Sequence, residues 1–517
     1  MKKKRNNKNN KKRGPMPIKK LIAEVKGLVA SVKQLITVQD EAAAKPKPAS
    51  PSFSFILNDP INSSLIQNIT LPSPETGLKV AVRGFVSNPT TNDQNLSAQT
   101  YASLQNAKTY IQGIIANSRP KLKKWAAATT LTVVPKAGVD FNAYYDRKNL
   151  KFFYDTDTVA NNVVYSAQSN DIVTHELGHA VLDALRPDLW SSMATEVWAF
   201  HESFGDMLAL LSAMTYDATI LAALSETSND LSQSNVISRL AEELGVAVYN
   251  MYDGAEYGSL TNALRDASIN FTYVKPSLLP SSGRDDVLIN ESHSFARVFT
   301  GAFWDIFVAI YNRNVAAGQA RLTAVKNARD TVANYLIKAS ILAPSNSKFF
   351  YSVANAFAAA DVAKGSPYQT EILNVFRNRA ILPVSLKALV SPINKEVIAL
   401  GLNDEVVKHN NGHFYKLSHT KCVKLSSCCK QSDLSALSDI HDMMDIEITI
   451  PADVYYEFDK NGNAVAEIKN NEQESIKDAV RAVRILKNKN MIGSDKAWEV
   501  KSNKLERNKI CRCFCKH

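Results

Sequence analysis

His175, Glu176 and His179, in the stretch "NDIVTHELGHAVLDAL", are residue types that can hold and use a metal ion. The stretch has helical periodicity, with Ile172, Val173, Leu177, Val181 and Leu182 apolar. Residues four apart on a helix share a face, so both imidazoles can offer a nitrogen to one Zn2+ at about 2.0–2.1 Å. Glu176 is turned roughly 100° from that face, which suits a base acting on a metal-activated water better than a ligand. Gly178 in the helix interior costs about 1 kcal/mol against alanine, a local rule broken. A chance histidine pair on a core helix carries the same pattern, so the remaining parts of a site must come from elsewhere in the chain.

A catalytic zinc needs three protein ligands and one open position. The stretch "VWAFHESFGDM" offers Glu202 and Asp206, four apart on a second helical pattern. Glu202 can complete the zinc shell, and Asp206, one turn on, can accept the second ring N–H of a ligand histidine and so fix its tautomer. His201 is adjacent and competes for the ligand role, but it points about 100° from Glu202. Its other reading is a packed or substrate-side histidine.

"HELGHAVLD" followed by "HESFGD" resembles the gluzincin metallopeptidases, and more closely the thermolysin family. "FNAYYDRKNLKFFYD" resembles that family's edge strand and following turn. "NALRDASIN" and "NESHSFARVFTGAFWDIF" resemble the segments that carry its substrate-carbonyl arginine and its transition-state histidine. The match covers roughly residues 95–383, with four motifs in the family's order. It implies a polypeptide substrate whose main chain is held by Asn142 and Ala143, with Arg265 on a carbonyl and His293 on the developing oxyanion. Ile172 and Leu264 would line the pocket for the side chain after the scissile bond, plain core being their other reading. An arginine can donate two parallel hydrogen bonds where a lysine cannot. A histidine near the metal can stabilise a tetrahedral oxyanion as its charge develops.

The chain departs from the family at several places. Trp190 stands where the family has an oxyanion-assisting tyrosine, and its single N–H can substitute as a donor. Leu288 stands where the family has the aspartate that partners its histidine, leaving Glu291, Asp286 or Asp285 for that role. Asp171 matches one of the family's calcium-binding acids, but Met207 to Ala213 holds no acid, so calcium is not expected.

The elements that must position these residues divide into four stretches of the 517 residues. Residues 1–52 comprise a basic arm, an amphipathic helix over 17–37 and the Pro/Ala/Lys linker "EAAAKPKPASPS". Eight of the eleven net positive charges sit in the first fourteen residues, so the overall basicity does not imply a nucleic-acid-binding body. The arm can contact anionic lipid or nucleic acid, or act as a solubilising tail. The helix can pair with a copy of itself, lie on a membrane, or dock on the body.

Residues 53–186 read as a β-rich lobe ending in the HExxH helix, and 187–383 as a helical lobe. Residues 384–517 read as a Cys/His-rich module with strand-like runs such as "IEITIPADVYYEF". The expected class is α+β, a two-lobed thermolysin-like catalytic domain with a cleft between a β-rich and an all-α lobe. The 45% hydrophobic and 21% charged residues are those of a globular protein. No recognisable signal peptide or uninterrupted apolar run of roughly 18 residues is present. All six cysteines follow residue 421, and their spacing suits disulfides, free thiols or a structural metal rather than a zinc finger.

The expected activity is that of a zinc-dependent metalloendopeptidase. Two alternatives stand beside it. A gluzincin aminopeptidase would need a site for the free substrate amine. A zinc-retaining peptide-binding protein without turnover fits the changed oxyanion and histidine partners.

Overall fold

The computed structural model describes residues 52–71, 77–117, 122, 124–252, 262–284, 286–383, 413–417, 420–428, 439–451, 454–458, 464–469 and 472–511. The basic arm, the 17–37 helix and the linker lie outside these residues, Ser52 excepted, as does Asp285. Among the tail's Cys and His side chains, those of Cys422 and His441 are described, and Cys422 is a free, exposed thiol. The described residues from Phe53 onward belong to one compact unit.

Period-two burial marks the first strands. In β1 (Ser52–Ile56) Phe53 and Phe55 are buried while Ser52 and Ser54 are exposed, and β1 pairs with β2 (Ile66–Thr70). After β3 (Lys79–Val82) comes helix α1 (Asn92–Ala116), begun by a capping box between Thr91 and Gln94. β4 (Thr130–Val134) buries Leu131 and Val133 on alternate positions. β5 (Ala143–Tyr145) and β6 (Asn149–Phe152) are antiparallel, and β6 and β3 flank β4 in parallel. β7 (Tyr154–Asp157) and β8 (Asn162–Tyr165) make a separate hairpin.

From residue 170 the chain is mainly helical: α2 (Asn170–Leu185), α3 (Thr195–Ala213) and α4 (Asp217–Glu226). β9 (Arg239–Leu240), α5 (Glu242–Tyr252) and β10 (Arg265–Asp266) follow, with Arg265 opposite Leu240. α6 (Ser292–Ala316), α7 (Arg321–Leu342), α8 (Phe349–Val362) and α9 (Gln369–Asn378) complete this stretch. Among the described residues α6 is one helix long and apolar enough to cross a membrane, and 78% of that window is buried inside the body, as in a core helix.

The tail adds β11 (His413–Leu417), β12 (Thr420–Lys424), β13 (Glu447–Pro451), β14 (Val454–Phe458), β15 (Ala464–Lys469), helix α10 (Glu472–Asn488), β16 (Trp498–Lys501), β17 (Lys504–Arg507) and β18 (Ile510–Cys511). The first seven of these strands form a three-stranded sheet, β11-β14-β15, and a four-stranded one, β12-β13-β17-β16. The architecture is thus α+β.

Two hydrophobic cores hold it together. The larger spans residues 53–382, and the smaller unites the tail's Leu425, Ile448, Ile476 and Trp498 with Met193 and Trp198 of the body. The described part of the tail therefore shares a core with the body. Asp478 of α10 accepts a hydrogen bond from the Thr195 backbone N–H at 3.0 Å, supplying the cap that the first residues of α3 lack locally. The last strand also returns to the body: β18 pairs antiparallel with β5, Ile510 opposite Tyr145 and Cys511 opposite Tyr144. The five-stranded sheet runs β18-β5-β6-β4-β3.

Candidate metal centre

Helix α2 starts at Ser169, whose hydroxyl accepts from the Ile172 N–H, with Asp171 in its first turn where the helix dipole favours negative charge. The helical repeat then stacks His175 and His179, their rings edge to face with centroids 4.7 Å apart. Both are essentially fully buried.

Their partners come from α3, which lies against α2 at a glycine contact. A β-carbon on Gly178 would stand 2.7 Å from the Gly205 Cα, and one on Gly205 would stand 2.7 Å from the His175 ring. Gly178 therefore breaks the helix rule for a packing reason: nothing larger lets α3 reach the histidine face.

At that approach Glu202 Oε2 lies 3.4 Å from His175 Nε2 and 3.7 Å from His179 Nε2. Two atoms bound tetrahedrally to one ion at about 2.0–2.1 Å stand about 3.4 Å apart, so this spacing fits a small divalent cation. His175 Nε2, His179 Nε2 and Glu202 Oε2 are buried and make no hydrogen bond among the described residues, an arrangement that costs free energy unless something else satisfies them. Glu176 is fully buried, and one of its carboxylate oxygens lies with the His175 and His179 nitrogens inside a 4.8 Å cluster able to hold a metal. Two carboxylates, one from each helix, thus meet the histidine pair.

Asp206 stands where the sequence places it. Its Oδ1 is 2.9 Å from His175 Nδ1, so the carboxylate accepts the Nδ1–H and leaves the Nε2 lone pair toward Glu202. Burial alone would raise the Asp206 carboxyl, but the Arg265 guanidinium and the His175 hydrogen bond overcome it and hold the group well below the usual carboxylate range.

Arg265 donates from Nε and Nη2 to Asp206 in a two-pronged ion pair, in which Nη1 takes no part. The physical reason is burial: Arg265 is 7% exposed, and a guanidinium so placed requires a carboxylate.

His293 enters from the first turn of α6. Its Nε2 lies 3.3 Å from Glu202 Oε2, so three imidazoles converge on that one oxygen. Of the acids considered as its partner, Glu291 is in contact, its Oε1 2.7 Å from His293 Nδ1. Glu291 also caps α6, accepting from the backbone N–H of His293 and Ser294. Burial alone would lower His293, but the Glu202 and Glu291 carboxylates on either side raise it to about 9. His179 is held well below the usual imidazole range, chiefly by burial and then by His175, and is neutral.

His201 is not brought to the cluster as a ligand. It is a packed histidine, fully buried, its ring centroid 6.0 Å from that of His179, with both nitrogens lacking a hydrogen bond among the described residues. Ile172 and Leu264 lie in the larger core. Asn142, 6% exposed, donates from Nδ2 to Asp140, while its Oδ1 has no hydrogen-bond partner among the described residues. Ala143 is buried and pairs with Phe152 of β6.

The expectation for Trp190 fails. Its Nε1–H donates to the Arg507 carbonyl at 3.0 Å, so the donor intended for an oxyanion is already taken. The tail strand β17 does this, and nothing local in the sequence announces it. Sequence reading also missed the Asp183 node on α2, which accepts from the Tyr145 hydroxyl and from Arg147 Nε and Nη2, all at 2.9 Å. It fastens β5 one turn beyond His179.

No protein-family model matches this chain, and no curated protein does either. The functional reading therefore rests on the geometry.

Proposed function

We propose that the chain is a zinc-dependent metalloendopeptidase built on a two-lobed, thermolysin-like catalytic domain. One observation carries the reading: His175, His179 and His293 all point a ring nitrogen at Glu202 Oε2, with Glu176 buried beside the pair. A structural ion site has no use for a third histidine with its own carboxylate partner, whereas peptide hydrolysis needs a donor at the place where charge develops.

His175, His179 and Glu202 would hold the ion. Zinc, when bound, polarises a carbonyl and makes a water acidic enough to attack at neutral pH. Glu176 takes the proton as the water oxygen bonds to the scissile carbon, and delivers it to the amine nitrogen as the carbon–nitrogen bond breaks. His293, oriented by Glu291, donates its Nε2–H to the oxyanion. The edge of β5 with Asn142 and Ala143 lays out an extended polypeptide by strand addition, the Asn142 Oδ1, which has no hydrogen-bond partner among the described residues, accepting from its main chain.

The experiment is metal analysis with a chelator-sensitive casein cleavage assay on the wild type and Glu176→Gln. The variant should keep one zinc and lose activity by about 100-fold or more. Full activity in the variant would sink the mechanism. A metal-retaining binding protein without turnover is favoured by one observation, the Trp190 N–H held by Arg507; stoichiometric zinc without any cleavage, even after the strand Ile510–Cys511 is removed, is its signature.

A further inference from the structure

The edge strand that the proposed function assigns to a polypeptide already carries one. β18 lies antiparallel on β5 with Ile510 opposite Tyr145 and Cys511 opposite Tyr144, the position next to Ala143. The lead-in is fastened at each step. The Arg507 carbonyl accepts from Trp190 Nε1, and the Arg507 guanidinium lies 5.5 Å over the Trp190 ring and 5.7 Å over Trp498. The Asn508 backbone N–H donates to the Ala497 carbonyl, and Lys509 Nζ sits 4.6 Å over the Tyr144 ring.

Trp190 in turn packs edge-on against Tyr145, ring centroids 5.6 Å apart, and Tyr145 is bonded to Asp183 on the metal-binding helix. The tail strand thus runs along the flank of the metal centre, in the main-chain pairing mode by which an extended peptide adds to a sheet edge.

We infer that the strand Ile510–Cys511 is a built-in occupant of the peptide-binding edge of β5, so that the intact chain is latent and opens when this strand is displaced or removed. The inference takes from the proposed function only the role of β5. A tethered strand competes at an effective concentration in the millimolar range, enough to exclude free peptides of ordinary affinity. The plainer role for β18, covering a sheet edge against aggregation, predicts no gain in peptide binding when it is cut away.

The test compares the full chain with one ending at Lys509, which retains every anchor through the Lys509 contact. Both carry Glu176→Gln, are loaded with zinc, and are compared by thermal melting. A full-length Ile510→Pro/Cys511→Pro variant, which cannot pair normally with β5, serves if the shortened chain does not fold. The probe is a fluorescent synthetic peptide of residues 507–517 with its three cysteines replaced by serine.

The shortened or proline chain should bind the probe about tenfold or more tightly than the full chain. Equal binding, or binding to neither, overturns the inference. Casein cleavage by the same chains with Glu176 intact separates the two proposals. An opened chain that binds the probe but cleaves nothing keeps the occupied edge and removes the peptidase. A full chain that cleaves as fast as the opened one removes the latency.

Discussion

Gly178 and Gly205 face each other across α2 and α3 so closely that a β-carbon on the first would stand 2.7 Å from the Cα of the second. That contact sets the distance between the histidines and the carboxylates. Gly205→Ala would also drive a methyl group into the His175 ring. Overpacking of this kind destabilises by about 1–3 kcal/mol, and tilting a ligand histidine should weaken metal binding by about 10–100-fold. Competition with a chromophoric chelator measures the second effect; unchanged affinity would contradict the packing argument.

Asp206 serves two donors at once, the His175 ring and Arg265. Asp206→Asn leaves a guanidinium buried without its charge partner, a loss of about 3–5 kcal/mol. It also weakens the bond that fixes the His175 tautomer. Denaturant unfolding and chelator competition should both register the change. Loss of metal with full stability would show that Arg265 finds another partner.

Asp478 joins the tail to the body by capping α3. Asp478→Ala should cost about 1 kcal/mol, with an upper end near 2. The same substitution should expose the Trp198–Trp498 pair, whose rings lie 5.2 Å apart, to greater quenching of tryptophan fluorescence by iodide. Unchanged melting and quenching would mean that the smaller core alone secures the tail.

Glu196, buried in the first turn of α3, gives a pH dependence of known sign. Burial lifts its carboxyl to about 8, against the lowering effect of hydrogen bonds from the Tyr273 hydroxyl and the Phe350 N–H. The folded state therefore favours the protonated form. Its contribution is complete below the ordinary value of 4.5 and is lost as pH rises through about 8. Glu196→Gln does not titrate, so its stability relative to the wild type should rise by about 1.4 kcal/mol per pH unit inside that window. Unfolding curves at several pH values read the difference directly, and parallel stability profiles would rule it out.

The sequence discloses those parts of the site that depend on local periodicity. His175 with His179, and Glu202 with Asp206, lie four apart, and helical geometry alone puts each pair on one face. Gly178 drew attention as a broken rule, but its reason became visible with Gly205 opposite. His293 was legible by resemblance, while its partner was narrowed to three acids and then decided by the turn that makes Glu291 both cap and neighbour. Trp190 was misread because its one donor is taken by a residue distant in sequence, Arg507, and the Arg265–Asp206 ion pair went unforeseen for the same cause. Pairings of that kind carry no period. The return of β18 to β5 belongs with them, since two residues of strand have no pattern of their own.

The position of β18 at the far end of the chain also orders events in time. Synthesis proceeds from the N-terminus at about 5–20 residues per second, and the elements made first begin to fold first. Tyr145 and Ile510 are partners in one sheet but are separated by most of the chain. On the order of tens of seconds pass between the making of the two. During that interval the β5 edge has no neighbour of its own, and the nascent protein relies on other means to keep foreign strands away.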